Sequence, residues 1–208
     1  PTAQQVNERI AASIYKQAEL GLEQDNKDEA IAQLLRVAET SPGTEIAVKA
    51  QFDAGVYLLE QEKWAQAENV YLSFRKKYPQ HELAATIPAK MVLIYQNQSK
   101  WQLAADELSI MERTSNDPEV KRQSLFMGAE LYEKSGNRAL SIEKYSRYAK
   151  EYSRPLPENM EAQHKLTELY KQSGERDKRL YWLQNIITSH QRAGSAKTDR
   201  STWLAASA

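Results

Sequence analysis

The sequence predicts an all-α fold, a solenoid of stacked antiparallel helix pairs, on three observations. The segments Glu62-Lys63-Trp64-Ala65-Gln66-Ala67 and Ser99-Lys100-Trp101-Gln102-Leu103-Ala104 place Trp64 and Ala67 again 37 positions later, as Trp101 and Ala104. Self-similarity at a period of this size signals a repeat array. Within one period the apolar residues recur at helical intervals in two phases, which reads as a helix, a short turn and another helix. Pro42 and Pro79, also 37 apart, each follow a helical run, where a residue without an N–H stops the helix.

Stepping back one period from the clearest copy reaches Asp25, Lys27 and Ala30, the turn and second helix of a first unit. In the second unit Phe52, Gly55, Val56 and Leu59 line the first helix; after Glu62, Ala67, Val70, Tyr71 and Phe74 line the second. Trp101 and Ala104 open the second helix of the third unit. One period on, Gly136, Arg138 and Ser141 do so in the fourth, and a step of 38 gives Gly174, Arg176 and Arg179 in the fifth. Gly136 and Gly174 are expected in the turns, and Pro118 and Pro155 are expected to close their units as Pro42 and Pro79 do. Trp64 and Trp101, at one repeat position, are expected to pack across their helix pairs, and Trp182 to be buried. The expected organisation is one elongated solenoid of five helix-pair repeats over residues 1–192. Residues 193–208 then form a linker and, from Ser201-Thr202-Trp203-Leu204-Ala205-Ala206, the start of a further, truncated repeat.

The composition excludes several function classes. With 28 Lys and Arg against 28 Asp and Glu, no global field concentrates nucleic acid or anionic lipid, and nucleic acid is not expected as a partner. Basic runs such as Arg75-Lys76-Lys77 fit the last turn of a helix, where cations favour the dipole. The lack of cysteine removes disulfides and thiolate chemistry but fits oxidising and reducing compartments alike. The longest apolar run, the five residues Met91 to Tyr95, is far short of the roughly 18 that span a bilayer, so no direct membrane insertion is expected. His81, His164 and His190 are too far apart for a two-histidine metal pair on one helix. The scattered glycines form no phosphate-binding loop and there is no G-x-S-x-G elbow. No metal, no cofactor and no catalytic residue is expected, and a small-molecule ligand is disfavoured. The chain starts at Pro1 without an apolar leader, which is compatible with a targeting segment removed from a longer precursor.

These residues resemble the tetratricopeptide repeat family over roughly residues 8 to 192. Its small residue on the first helix is similar to Ala18, Gly55 and Ala129, and its alanine on the second helix to Ala30, Ala67 and Ala104. Its bulky position four residues on is similar to Leu34, Tyr71, Leu108, Tyr145 and Leu183, and its closing proline to Pro42 and Pro79. Val92, Thr167 and Arg179 depart from the pattern. The resemblance implies a right-handed α-solenoid in which close helix approach at small residues is surrounded by bulky ones. The family's usual period is 34, so three residues are added here, expected to lengthen the start of each following helix. Units of this length, with Phe74-Arg75-Lys76-Lys77-Tyr78-Pro79, resemble the bacterial envelope branch, which includes the lipoprotein of the outer-membrane β-barrel assembly machinery and the periplasmic Tol-Pal coordinator.

A solenoid of helix pairs lines its inner surface with first helices. By the family's geometry the inward positions three residues before the small residue are Tyr15, Phe52, Ala89, Phe126 and His164; one residue after it come Glu19, Val56, Leu93, Glu130 and Glu168. Family members that clamp a peptide's terminal carboxylate use basic and amide side chains there. The acids here would repel a carboxylate. The expected function is a non-enzymatic protein–protein interaction scaffold holding a peptide segment or helix of a partner in the concave groove, within a larger bacterial envelope protein or assembly. The alternative is a non-catalytic domain or subunit attached to an enzyme or to a transport or assembly machine. The setting expected is periplasmic or envelope-associated, with cytoplasmic as the alternative.

Overall fold

A computed structural model describes residues 2–208 of the chain. The described residues form α1 Ala3–Glu23, α2 Lys27–Thr40, α3 Glu45–Glu60, α4 Trp64–Lys77, α5 Ile87–Asn97, α6 Trp101–Thr114, α7 Pro118–Lys134, α8 Arg138–Glu151, α9 Leu156–Gln172, α10 Arg176–Arg192 and α11 Asp199–Ala206, with no strand among them. The all-α fold of helices packed in neighbouring pairs is as the periodicity predicts. Among the described residues no helix is long and apolar enough to cross a membrane.

The turns carry the clearest local signature. Three residues join the helices of each pair, and the middle one is left-handed every time: φ is 59° at Asp25, 55° at Glu62, 57° at Ser99, 82° at Gly136 and 74° at Gly174. The N–H of the next residue reaches back five residues, from Asn26 to Gly21 O (2.8 Å), Lys63 to Leu58 O (2.9 Å), Asn137 to Tyr132 O (2.9 Å) and Glu175 to Tyr170 O (3.0 Å). That bond caps the first helix and reverses the chain. Glycine takes this conformation without steric cost, whereas Asp25, Glu62 and Ser99 bear a Cβ in it.

Two prolines act differently from the expectation. Pro42 and Pro79 follow the ends of α2 and α4, but Pro118 is the first residue of α7 and Pro155 is the N-cap of α9. They open helices rather than close them, because a residue at the N-cap or in the first turn has no intrahelical use for its N–H. The added residues of the repeat also divide. They extend α7 and α9 to 17 residues each, but before α5 they form a 3₁₀ segment, Glu82–Thr86, capped by His81 Nδ1 accepting from Leu83 N–H at 3.2 Å.

The chain forms two compact units, residues 1–99 and 100–208. In the first, α2 packs between α1 and α3, and α4 between α3 and α5. Ala18, Ala54 and Ala67 let the helices approach, and Leu34, Leu58, Tyr71, Phe74 and Met91 fill the space between them. The closest fit is Gly55 under Tyr71: a Cβ at Gly55 would stand 2.6 Å from Tyr71 Cζ and 2.8 Å from Cε1.

In the second unit α6 to α10 pack in sequence, and α11 rests on both α9 and α10. Leu125, Ala129, Tyr145, Tyr148, Leu166 and Trp182 form one apolar cluster; Leu156, Met160, Ile186 and Leu204 belong to another. Thr167, at the family's small position, is buried with its hydroxyl donating to His164 O at 2.7 Å, so its polar atom is satisfied within the helix. Arg122 of α7 is buried too. Its guanidinium pairs with Glu119 Oε1 at 2.6 Å and bonds Tyr148 of α8 and Glu158 of α9, joining three helices at one charge. Trp182 is buried as expected, but Trp64 and Trp101 are only half-buried. Each is the first residue of its helix, so the indole lies at the end of the pair beside the turn rather than across its middle.

Candidate functional site

The positions expected to face inward all lie on the first helices of the pairs. In the first unit these are Tyr15 and Glu19 on α1, Phe52 and Val56 on α3, and Ala89 and Leu93 on α5. Tyr15 is half-buried and donates its hydroxyl to Asp53 Oδ2 at 2.7 Å, tying α1 to α3. Burial and then the Asp53 carboxylate raise the Tyr15 pKa well above the ordinary tyrosine value, so the hydroxyl remains a donor. Phe52 is half-buried, with ring centroids at 5.8 Å from Tyr71 and 5.7 Å from Phe74, both edge-on. Val56 is half-buried, whereas Glu19, Ala89 and Leu93 are exposed.

In the second unit the same positions are Phe126 and Glu130 on α7 and His164 and Glu168 on α9. Phe126 repeats the arrangement of Phe52, edge-on to Tyr145 at 5.9 Å and to Tyr148 at 5.0 Å. His164 stands edge-on to Trp203 of α11 at 6.1 Å. Glu168 is half-buried and Glu130 exposed. The Glu130 carboxyl is nevertheless raised above the ordinary glutamate pKa, first by loss of hydration among its neighbours and then by Glu133 and Glu161, against the opposing pull of Lys165.

Some charged neighbours went unread in the sequence. Lys49 lies over the Tyr15 ring at 5.4 Å and Lys90 over the Phe52 ring at 5.3 Å. Glu133 takes the Tyr145 hydroxyl at 3.0 Å and Lys165 at 3.1 Å, and Glu161 takes Arg200 Nη2 at 2.7 Å and Nε at 3.0 Å. The acidic edge beside α9 is therefore partly neutralised by the chain itself. A signal was available: the residue after each anchor is Lys16, Asp53, Lys90, Met127 and Lys165, so lysine recurs beside the aromatic position.

Rings gripped edge-on by two others are stiff, and their solvent faces form shaped apolar steps bordered by charge. Surfaces of this kind bind side chains of other proteins. Comparison with known proteins bears on which repeat builds them. Residues 49–81 match the tetratricopeptide repeat family. The matched segment covers α3 from Lys49 onward, α4 and the turn after them, where Gly55, Ala67, Tyr71 and Pro79 stand. A tetratricopeptide repeat protein from Parabacteroides merdae has a similar solved structure, with 13% identity over 93% of this chain and 72% of that one and a TM-score of 0.52; it shows the fold alone. Crystal structures of nearly identical TPR-like repeats from Podosopora anserina align at 15% and 16% identity, each over 90% of this chain and 97% of that one, with TM-scores of 0.48 and 0.49. No curated protein sequence matches the chain.

Proposed function

We propose that the chain is a non-enzymatic interaction scaffold whose first-helix faces hold a segment or amphipathic helix of a partner protein. Tetratricopeptide-like repeats generally mediate protein–protein interactions, and one observation carries the reading to particular residues. Phe52 and Phe126 occupy the same repeat position, and each is locked edge-on between two aromatic rings while part of its own ring reaches the surface. Such a side chain loses little freedom on binding, which is what makes an anchor effective. Glu19, Glu130 and Glu168 disfavour a terminal carboxylate and favour a segment with some positive charge. Lys49 and Lys90 lie over the Tyr15 and Phe52 rings, and apolar side chains at Val56, Ala89 and Leu93 extend the contact surface around Phe52 in the first unit.

A bacterial envelope assembly as the setting is part of the proposal; its support is the length of the repeat and the Phe74-Arg75-Lys76-Lys77-Tyr78-Pro79 phrase. The test recovers partners from the source cell with the wild-type chain, then with Phe52→Ala and Phe126→Ala after circular dichroism confirms that both variants are helical. Loss of a hot-spot anchor weakens binding by about thirtyfold. Undiminished recovery by folded variants would move binding to another surface.

A further inference from the structure

The second unit carries more positive charge along one edge than it neutralises. An open cavity of about 470 Å³, between the end of α6, the start of α7 and the end of α8, is lined by Arg113, Lys121, Lys144 and Arg147 against Glu112 and Glu151. Both carboxylates are already engaged. Glu112 accepts from Lys144 Nζ and from Arg147 Nη2, each at 2.7 Å, and Glu151 accepts from Arg147 Nε at 3.3 Å. Lys144 and Arg147 are thereby balanced, whereas Arg113 and Lys121 make no ion pair among the described residues. A second cavity of about 270 Å³ follows where α8 gives way to α9, since Tyr152 lines the first and Ser153 the second. Arg154 and Arg192 line it together with the hydroxyls of Ser153 and Ser189; no carboxylate is among its described lining residues, and neither arginine is ion-paired among them.

Helix dipoles account for only half of this charge. Arg113 and Arg192 stand in the last turns of α6 and α10, where a cation is favoured. Lys121 lies at the N-terminal end of α7 and Arg154 directly precedes the N-cap of α9, so both sit at the positive end of a helix, where a cation is disfavoured and an anion is attracted. We infer that this edge binds an acidic segment of a partner protein, whose carboxylates enter the two cavities and pair with Arg113, Lys121, Arg154 and Arg192. A single compact anion would reach one cavity, whereas a segment with carboxylates spaced along it reaches both. Nucleic acid is the poorer fit. The aromatic residue of the edge, Tyr152, is half-buried with its ring 5.3 Å from that of Tyr148, which leaves no open platform for a base. The edge shares no residue with the aromatic steps of Tyr15, Phe52 and Phe126 and prefers the opposite charge, so the inference does not rest on them.

The test uses the whole chain and a fluorescein-labelled peptide of alternating glutamate and serine, with its glutamine counterpart and a labelled oligothymidylate of matching length. Fluorescence anisotropy is expected to show the glutamate peptide binding about tenfold more tightly than the glutamine peptide, with an affinity that falls as salt is raised. Arg113→Gln with Lys121→Gln removes the free charge of the first cavity, and Arg154→Gln with Arg192→Gln that of the second. Each double variant, its helical content confirmed by circular dichroism, is expected to weaken the glutamate peptide about tenfold. Lys27→Gln with Arg36→Gln makes the same change in net charge at exposed positions of α2 and is expected to leave the affinity unchanged. Equal binding of the two peptides overturns the proposal, and so does any result in which the two folded edge variants do not both weaken the glutamate peptide more than the α2 variant does. Tighter binding of the oligothymidylate, lost in the edge variants, would make this a nucleic-acid surface and overturns it equally.

Discussion

At the scale of single residues, size is matched across the helix pair. The two repeat positions hold Gly55 with Tyr71 and Ala129 with Tyr145 where the bulky member is a ring, but Ala18 with Leu34, Val92 with Leu108 and Thr167 with Leu183 where it is leucine. Gly55 is demanded not by a tyrosine as such but by where the Tyr71 ring lies, fully buried and 2.6 Å from an added Cβ. Gly55→Ala should lower stability by about 1–3 kcal/mol although alanine is the better helix former by about 1 kcal/mol. Adding Tyr71→Leu should recover part of the loss, as urea unfolding of the single and double variants will show; a single variant at least as stable as wild type refutes the packing argument. Glu130 makes the electrostatic case. Its carboxyl is raised in the folded state, so ionisation favours the unfolded chain, and the penalty grows as pH rises from below the ordinary glutamate pKa through the folded one. Glu130→Gln should raise the melting temperature at pH 7 and match wild type near pH 3. A lower melting temperature at pH 7 would mean that attraction to Lys165 outweighs lost hydration.

At the scale of elements, the turn is the conserved instruction within this one chain: three residues, the middle one left-handed, five times over. Glycine at Gly136 and Gly174 made two of these turns visible from sequence. Those at Asp25, Glu62 and Ser99 had no such marker, because the periodic placement rather than residue type imposes the conformation. Holding a side chain in that region costs about 1–2 kcal/mol, and glycine's extra entropy returns somewhat less. Glu62→Gly is thus expected to stabilise by up to about 1 kcal/mol, measured as a higher denaturation midpoint with unchanged slope. A fall in the midpoint would show that the Glu62 side chain contributes more than its backbone costs. Pro118 and Pro155 show the opposite limit. A proline says that a helix boundary is near, but the side on which the helix lies depends on which neighbouring residues pack, so the sequence alone misassigned both.

At the scale of the whole molecule, stability in a repeat array is the sum of units and their nearest contacts, so damage stays local. Leu204 of α11 is buried with Met160 and Ile186. Leu204→Ala should destabilise its surroundings by about 2 kcal/mol or more, with faster hydrogen exchange in α9 to α11 and unchanged exchange in α1 to α4. Uniform acceleration along the chain would show that it unfolds as one cooperative body. The 37-residue period, the helical spacing and the small-and-bulky alternation by themselves determined the all-α class, the places where chains turn and the family resemblance, because each is a local or periodic property written in residue order. They also marked the first-helix positions from Tyr15 to Glu168. Which of those positions hold stiff rings, which lysines lie over them and which acids are already neutralised was decided by tertiary packing, as in the contacts of Lys90 with Phe52 and Arg200 with Glu161. Those contacts join residues 38 and 39 apart, and the distance at which long charged side chains meet a ring or carboxylate depends on how helices pack, which no single stretch of sequence encodes.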